Sequence, residues 1–573
     1  TLRDLGRADG SLAAVERALE QADAVRLQTA NPELRAQLQT PLRPAYDLKL
    51  DLLRARYEAA HAAGRDAEAE SIAMLAFTTA DAARAHSFSD IASQRYSPAV
   101  RTELEAEFHQ REELYRELSS RRAALDGQLQ QSGPDDPLVK QLIADLAELR
   151  REVDTINTAI ASRAIAKAAP ARGSRAHPAV PALGADRALV SYWLGAETAY
   201  AWVVVPGEVH WMRLGPPAGI ATQALAFYRS LTRLVDVPVE RRLQDSAALY
   251  AMIVQPLEPV LARFHDWVII PDGALDYVPF AALRPGSGPK RSFVALEHDV
   301  AVTPASWMLD GSHGKQPVLT GGKILIVADP VYQADDPRLA SQKIPPAAAS
   351  VAGASGDLGR SVFRRLPFTA KEAAGIWAQF PSSDVDELLG TQATRDRLLA
   401  LDWSQFRFIH IATHGVADAQ VPALSALILG SYDGQGAVSD REVRVADIAL
   451  KRLSAEVVVL SGCETALGTE VRSEGLVGMS STMLARGAHS VVASLWPVPD
   501  EIGAQLMTEF YSHMLHESMS PQAALSTVMR SMAARARSAD PALWAAFQLS
   551  VASTDVLTVS GNDPGSAAPL ARL

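Results

Sequence analysis

Residues 406–415, FRFIHIATHG, form an apolar run that ends on His414 and Gly415. Residues 456–465, EVVVLSGCET, form a second run that ends at a Ser-Gly turn and Cys463, the single cysteine of the chain. Both runs are short and apolar throughout, the pattern of strands buried on both faces of a parallel sheet. The segment between them, 416–455, is long enough for the crossover that a parallel pair requires. In an open parallel sheet, ligands gather beyond the carboxyl ends of the strands. If the two runs are neighbours, an imidazole and a thiol converge there.

The same texture extends outward. RALVSYWLG (187–195), TAYAWVVVPG (198–207), EVHWMRLG (208–215), DWVIIPDG (266–273), KILIVADP (323–330), SALILGS (425–431) and HSVVASLWP (489–497) all read as strands. Helical stretches at 370–380, 474–486, 500–516 and 521–537 separate several of them. Apolar strands alternating with helices predict an α/β fold with a largely parallel sheet covered on both faces. A looser segment, GSHGKQPVLTGG (311–322), divides this part into two halves.

Residues 1–168 read instead as helix. Residues 46–85 are rich in Ala, Leu and Glu, break at Gly64 and resemble one degenerate tetratricopeptide unit without a second clean copy. Leu142, Leu146, Leu149, Val153, Ile156 and Ile160 alternate spacings of four and three, a heptad seam. Phe108, Tyr115, Leu118, Leu125 and Leu129 give the preceding helix a looser stripe. QSGPDDP between them supplies a stop at Gly133 and a start at Asp136-Pro137, so an antiparallel helical hairpin is expected. Periodicity leaves open whether the hairpin is a spacer or a partner-sensing arm.

The expected organisation is a helical region at 1–168, a Pro/Gly/Ala-rich linker at 169–186, an N-terminal half at 187–312, a site-bearing half at 313–560 and a disordered tail at 561–573. The start, TLRDLGRADG, holds no methionine and no apolar signal core, so the sequence is expected to be a piece whose true N-terminus lies elsewhere.

Composition narrows the function classes. Apolar residues make up 48% of the 573 and charged residues 21%, as in ordinary globular proteins. A formal net charge of −11 argues against a general nucleic-acid binder. No apolar run approaches the roughly 18 residues of a membrane span. One cysteine forbids an internal disulfide and fits a reducing, cytoplasmic setting.

A thiolate is a strong nucleophile, and a free thiol has a pKa near about 8.5, so a neighbouring imidazole aids it and can protonate a leaving amine. The backbone N–H groups of Gly415 and Cys463 would offer donors to a developing oxyanion. Together these groups suffice for acyl transfer. A buried cysteine is as readily a small hydrophobe, and spacing alone leaves both readings open. His410 and His414 would lie roughly 13 Å apart on one strand, too far for a shared metal ion. A serine elbow and a phosphate-binding glycine loop are both missing from the sequence, and no metal or cofactor is expected.

The ordered motifs FIHIATHG (408–415), VVVLSGCETALG (457–468) and SLWPVPD (494–500) closely resemble the CHAT domain, a caspase- and separase-like group of cysteine peptidases common behind tetratricopeptide repeats in bacteria. WVIIPDGALDYVPFAAL (267–283), VAVTPASWML (300–309), ILIVADP (324–330), LPFTAKEAAGIWAQF (366–380) and WAAFQLS (544–550) extend the resemblance over about 187–555.

The resemblance implies a caspase-like fold and a Cys–His dyad. Cys463 is then the nucleophile, His414 the general acid/base, and Gly415 with the Cys463 amide the oxyanion donors. The sequence departs at Gly462, where the family often has Ala, and at Ser473-Glu474-Gly475, where it has Gly-Glu-Gly. Asp500 is similar to an acidic pocket residue of separases that would pair with a basic P1 side chain, though Asp also caps helices well. Glu464 would line the rim or be merely solvated. Asp418, Asp433 and Asp440 read as loop surface.

The implied function is an endopeptidase acting on a protein substrate, gated by the helical region or an activating partner that binds it. The alternative is a catalytically silent caspase-like scaffold that binds a protein through its helical arm.

Overall fold

The computed structural model describes residues 8–29, 42–93, 102–133, 135–167, 181, 183–286, 292–310, 322–339, 363–416, 424–433, 440–461, 474–535 and 540–552. Cys463, Gly462, Glu464 and Asp418 lie outside these residues, as do most of the linker and the whole of the 561–573 tail.

Fourteen strands are described, most of them short runs of apolar residues. They are β1 (Arg187–Leu194), β2 (Ala199–Val205), β3 (Glu208–Arg213), β4 (Asp266–Ile270), β5 (Asp299–Val302), β6 (Ile324–Ala328), β7 (Val385–Leu389), β8 (Phe408–Ala412), β9 (His414–Val416), β10 (Ala426–Ile428), β11 (Glu442–Arg444), β12 (Val457–Ser461), β13 (Ser490–Ser494) and β14 (Phe547–Val551). Eleven form one sheet in the order β3-β2-β1-β4-β5-β14-β13-β12-β8-β6-β7, and β11-β10-β9 form a small second sheet. The large sheet is mostly parallel. Antiparallel pairs occur at β1–β2, β2–β3 and β13–β14.

The apolar strands sort their side chains by the two-residue period of a strand. Ile324, Ile326, Phe408, Val457 and Val459 point into one core with Ala373, Ile376, Met507 and Phe510. Leu325, Val327, Ile409, Ile411, Val458 and Leu460 point into the other with Leu398, Trp403, Met479 and Met483. Helices therefore cover both faces, as expected. Each such side chain contributes about 1.5–3 kcal/mol when fully buried, and a slip of one residue would exchange the two sets.

Strands from 187–302 and from 324–551 occupy contiguous blocks of the sheet, joined where β5 runs parallel to β14 at Val302 and Ser550. The antiparallel β13–β14 pair reverses direction at this seam. The carboxyl ends of β1, β4 and β5 thus lie at one edge of the sheet, and those of β13, β12, β8, β6 and β7 at the other. Buried Arg242 ties the blocks together through Asp540 Oδ2 at 2.6 Å and the Ser230 carbonyl at 2.8 Å. The Tyr228 hydroxyl donates to the Leu495 carbonyl at 3.0 Å across the same seam.

The N-terminal region is helical: α1 (Ala8–Gln28), α2 (Arg43–Ala62), α3 (Asp66–Ser93), α4 (Glu105–Ser132) and α5 (Pro137–Lys167). Gly64, at φ 68°, makes the break between α2 and α3. The α4–α5 hairpin buries Tyr115, Leu118, Leu125, Leu142, Leu146 and Val153 in one cluster, the heptad seam anticipated. Leu129 is 38% exposed and does not join it. The first helices dock at the carboxyl edge of β1, β4 and β5. Arg43 donates to Asp272 there at 3.1 Å and stacks 3.6 Å over Trp193, while Asp81 accepts from the Ser306 N–H at 2.8 Å.

Three further helices frame the opposite edge: α6 (Pro367–Trp377), α7 (Glu474–Ala485) and α8 (Asp500–His516). Among the described residues no helix is long and apolar enough to cross a membrane.

Candidate active site

The runs FRFIHIATHG and EVVVLSGCET are neighbours. β8 pairs with β12 in parallel, with Ile411 opposite Leu460 and Ala412 opposite Ser461. The Thr413 N–H then donates to the Ser461 carbonyl at 3.1 Å, which closes the pairing at the strands' carboxyl ends. Ser461 is the last described residue before Gly462 and Cys463 in the sequence, and Thr413 leads directly into His414.

FRFIHIATHG is not a single strand. Thr413 breaks it, and β9 leaves the large sheet to pair with β10, setting His414 opposite Ile428 and Gly415 opposite Leu427. The Thr413 side chain anchors the break, donating from Oγ1 to the Ile428 carbonyl and sharing a hydrogen bond with the Tyr332 hydroxyl at 2.8 Å. Gly430 allows the next close approach. Its N–H reaches the Ala393 carbonyl at 2.8 Å, and a Cβ there would lie 3.1 Å from that same oxygen.

His414 is 1% exposed. Its ring packs against Tyr332 and Phe363, each centroid 5.1 Å away, and those two rings also touch each other, 6.2 Å apart. Nε2 is 2.7 Å from the Arg364 carbonyl oxygen. A carbonyl can only accept, so Nε2 carries a proton and, in the neutral ring, Nδ1 holds the lone pair. That tautomer makes Nδ1 the basic nitrogen of the site. His410, four positions earlier, plays no part here. It is fully buried beneath the sheet, 3.0 Å from Glu372 Oε1 but not aligned as a hydrogen bond, and its ring meets Tyr511 edge-on at 5.7 Å. Burial, then the Glu372 charge, pushes the Tyr511 phenol well above its ordinary range.

The small sheet links His414 to the helical hairpin. Arg395, 8% exposed, donates to the Glu442 carbonyl of β11 at 3.0 Å. It also meets Asp447 at 3.1 Å and, from α4, Glu112 at 2.6 Å. Arg444 pairs with Glu442 at 2.7 Å and Asp440 at 3.1 Å. Burial pushes the Glu442 and Asp447 carboxyls up; Arg444 opposes the shift at Glu442, and Arg395 with Arg444 opposes it at Asp447. Asp440, expected on the loop surface, is a member of this network, because the β11 fold-back brings Arg444 over it.

Asp500 opens α8, at the first helical position; Pro499 is the N-cap. β13 runs parallel to β12, so Asp500 lies beyond the same sheet edge as Ser461. A carboxylate in the first turn also gains from the helix dipole.

A model of the CHAT domain family matches residues 243–552, more than half of the 573. The chain belongs to the CHAT domain family. Two curated relatives are tetratricopeptide repeat protein 28 of Mus musculus, 27% identical over 354 residues, and its Homo sapiens counterpart, 24% identical over 354 residues. Each alignment takes in 53% of this chain but only 13% of the relative. Among solved structures, the Arg specific cysteine proteinase gingipain R is similar at 9% identity and TM-score 0.32, over 58% of this chain and 74% of that one. The Saccharomyces cerevisiae separase–securin complex is similar at 10% identity and TM-score 0.43, over 94% of this chain and 40% of that one.

Within this CHAT domain, the register explains the separation of the two motifs. Between β9 and β12 the described residues include β10 and β11, before the chain re-enters the large sheet. Sequence reasoning missed four residues around the imidazole: Arg364, Phe363, Tyr332 and Asp329. Asp329 did carry a signal, since KILIVADP is a third apolar run that ends on a residue able to do chemistry.

The Arg364 contact predicts the protonation pattern of His414. In the 15N-histidine-labelled protein at neutral pH, His414 should show the Nε2–H tautomer with its proton in a strong hydrogen bond. A predominant Nδ1–H form would contradict this geometry.

Proposed function

We propose that this CHAT protein is a cysteine endopeptidase. Cys463 is the nucleophile, His414 the general acid/base, and the Gly415 and Cys463 amides the oxyanion donors. One observation carries the reading: Ala412 and Ser461 stand side by side at the carboxyl edge of the sheet, so the residues that follow them start from adjacent points. Nδ1 of His414 would take the thiol proton. The thiolate would attack the peptide carbonyl, the imidazolium would protonate the departing amine, and water would release the acyl group. No cofactor or metal enters this scheme, and a reducing, cytoplasmic setting would keep the thiol free. The blocks 187–312 and 313–560 are then an N-terminal half without a dyad and a catalytic half.

A basic P1 preference follows if Asp500 faces the substrate, because a carboxylate pairs with Arg or Lys. Asp500 stands at the first helical position beyond that carboxyl edge and is not the N-cap, so its carboxylate is not committed to capping. Glu464, next to the nucleophile in sequence, would line the rim.

Cys463→Ala should abolish cleavage of the protein substrate without altering the thermal midpoint, and an electrophilic peptide ending in Arg should label wild-type protein at Cys463 alone. Cleavage by the variant at the wild-type rate would overturn the nucleophile assignment. Absence of labelling in every activated state would favour the silent scaffold.

Control by the helical region has a physical route in this proposal. Glu112 of α4 reaches Arg395, Arg395 holds β11, and β11 pairs through β10 to the strand that begins with His414. A partner that moves the hairpin would act on this chain of contacts. Glu112→Lys places a like charge against Arg395 and should change the cleavage rate severalfold, in either direction, with KM for a short peptide little altered. Equal rates in both proteins would remove the hairpin from control.

A further inference from the structure

Asp329 follows β6 at the same sheet edge as His414, and its backbone is left-handed, at φ 49°. Asp tolerates that region better than most residues, yet a positive φ beside a candidate site calls for a reason. The carboxylate is 8% exposed and grips Arg365 at two points, Nε to Oδ1 at 2.8 Å and Nη2 to Oδ2 at 2.7 Å. Arg338 adds Nη1 to Oδ2 at 2.9 Å and Nη1 to the Asp329 carbonyl at 2.7 Å, and is itself held by Asp336 at 2.6 Å. The Asp329 N–H donates to Thr369 Oγ1 at 3.1 Å, and that hydroxyl donates to the Leu366 carbonyl at 2.7 Å.

Ordinary surface ion pairs contribute little to stability. This one differs, because it is two-pronged and its acidic member is buried. Its position also matters. The carbonyl that receives His414 Nε2 belongs to the peptide joining Arg364 to Arg365. A peptide unit is planar and stiff, so anchoring Arg365 limits rotation of that carbonyl. Residues 364–366 are thus pinned from both sides, by the Arg365 side chain and by the Leu366 carbonyl.

We propose that Asp329 and Arg365 are positioning residues for His414: their paired contact fixes the 364–365 peptide plane so that its carbonyl stays on Nε2 and Nδ1 stays aimed as the base. The effect on turnover rests on the peptidase reading above; the effect on the imidazole does not.

The test uses the full chain with Arg365→Ala, Arg365→Lys and Asp329→Asn. Arg365 is exposed, so its variants should fold even if Asp329→Asn does not. Arg365→Ala should weaken or split the Nε2–H signal of His414 and lower kcat for peptide cleavage by about ten- to a hundredfold with KM nearly constant. Arg365→Lys, which keeps the charge but loses the fork, should fall between it and wild type. An unchanged Nε2–H signal in folded Arg365→Ala would overturn the proposal. So would an unchanged kcat in a protein that cleaves. If wild type cleaves nothing, the peptidase reading fails by itself, and the histidine signal alone still decides whether the clamp sets the imidazole.

Discussion

The parallel register of β8 on β12 is the constraint on which the rest depends. Ala412 opposite Ser461, closed by the Thr413 N–H on the Ser461 carbonyl, puts two chain segments that are distant in sequence at one point of one edge. The register is strongly specified because it is tied to burial. Val457, Val459 and Phe408 fill one core while Val458, Leu460, Ile409 and Ile411 fill the other. A one-residue slip would reverse every assignment. Core packing therefore fixes the two strand ends, and the Thr413 contacts then turn His414 into the small sheet.

The imidazole is then fixed by layers. Tyr332 and Phe363 confine the ring, the Arg364 carbonyl selects the tautomer, and the Thr413 side chain holds the break that turns the ring out of the large sheet. Two ionic networks stand behind these contacts. One, around Asp329, supports the loop that crosses His414. The other, around Arg395, joins the three-stranded sheet to the helical hairpin. The helical region meets the large sheet through Arg43 and Asp272 and the small sheet through Glu112 and Arg395.

Much of the fold was legible because strands such as KILIVADP and EVVVLSGC are apolar on both faces and leave no other reading. The strands that escaped notice are short or alternating. VDELL (385–389) is an edge strand that carries two acids, EVR (442–444) is three residues long, and FQLSV (547–551) is polar at alternate positions. The break at Thr413 was not legible, since it is made by the carbonyls of Ser461 and Ile428, both distant in sequence. His414 was legible as a strand-end residue. The role of Arg364 was not, because the contact is a backbone carbonyl that any residue could supply. Asp440 was misread for a related reason: its partners come from a fold-back and from residue 395, and local composition does not encode them.

The proposed activation of Cys463, the single thiol of the chain, by the His414 imidazole requires the two to meet at one edge of the sheet. It is tested most directly by the pH dependence of Cys463 alkylation in wild type and His414→Gln. With a single cysteine, no other thiol contributes to the signal. In wild type the reactive form should appear well below the ordinary thiol pKa of about 8.5, and His414→Gln should move it back toward that value. Superimposable profiles for the two proteins would contradict the account.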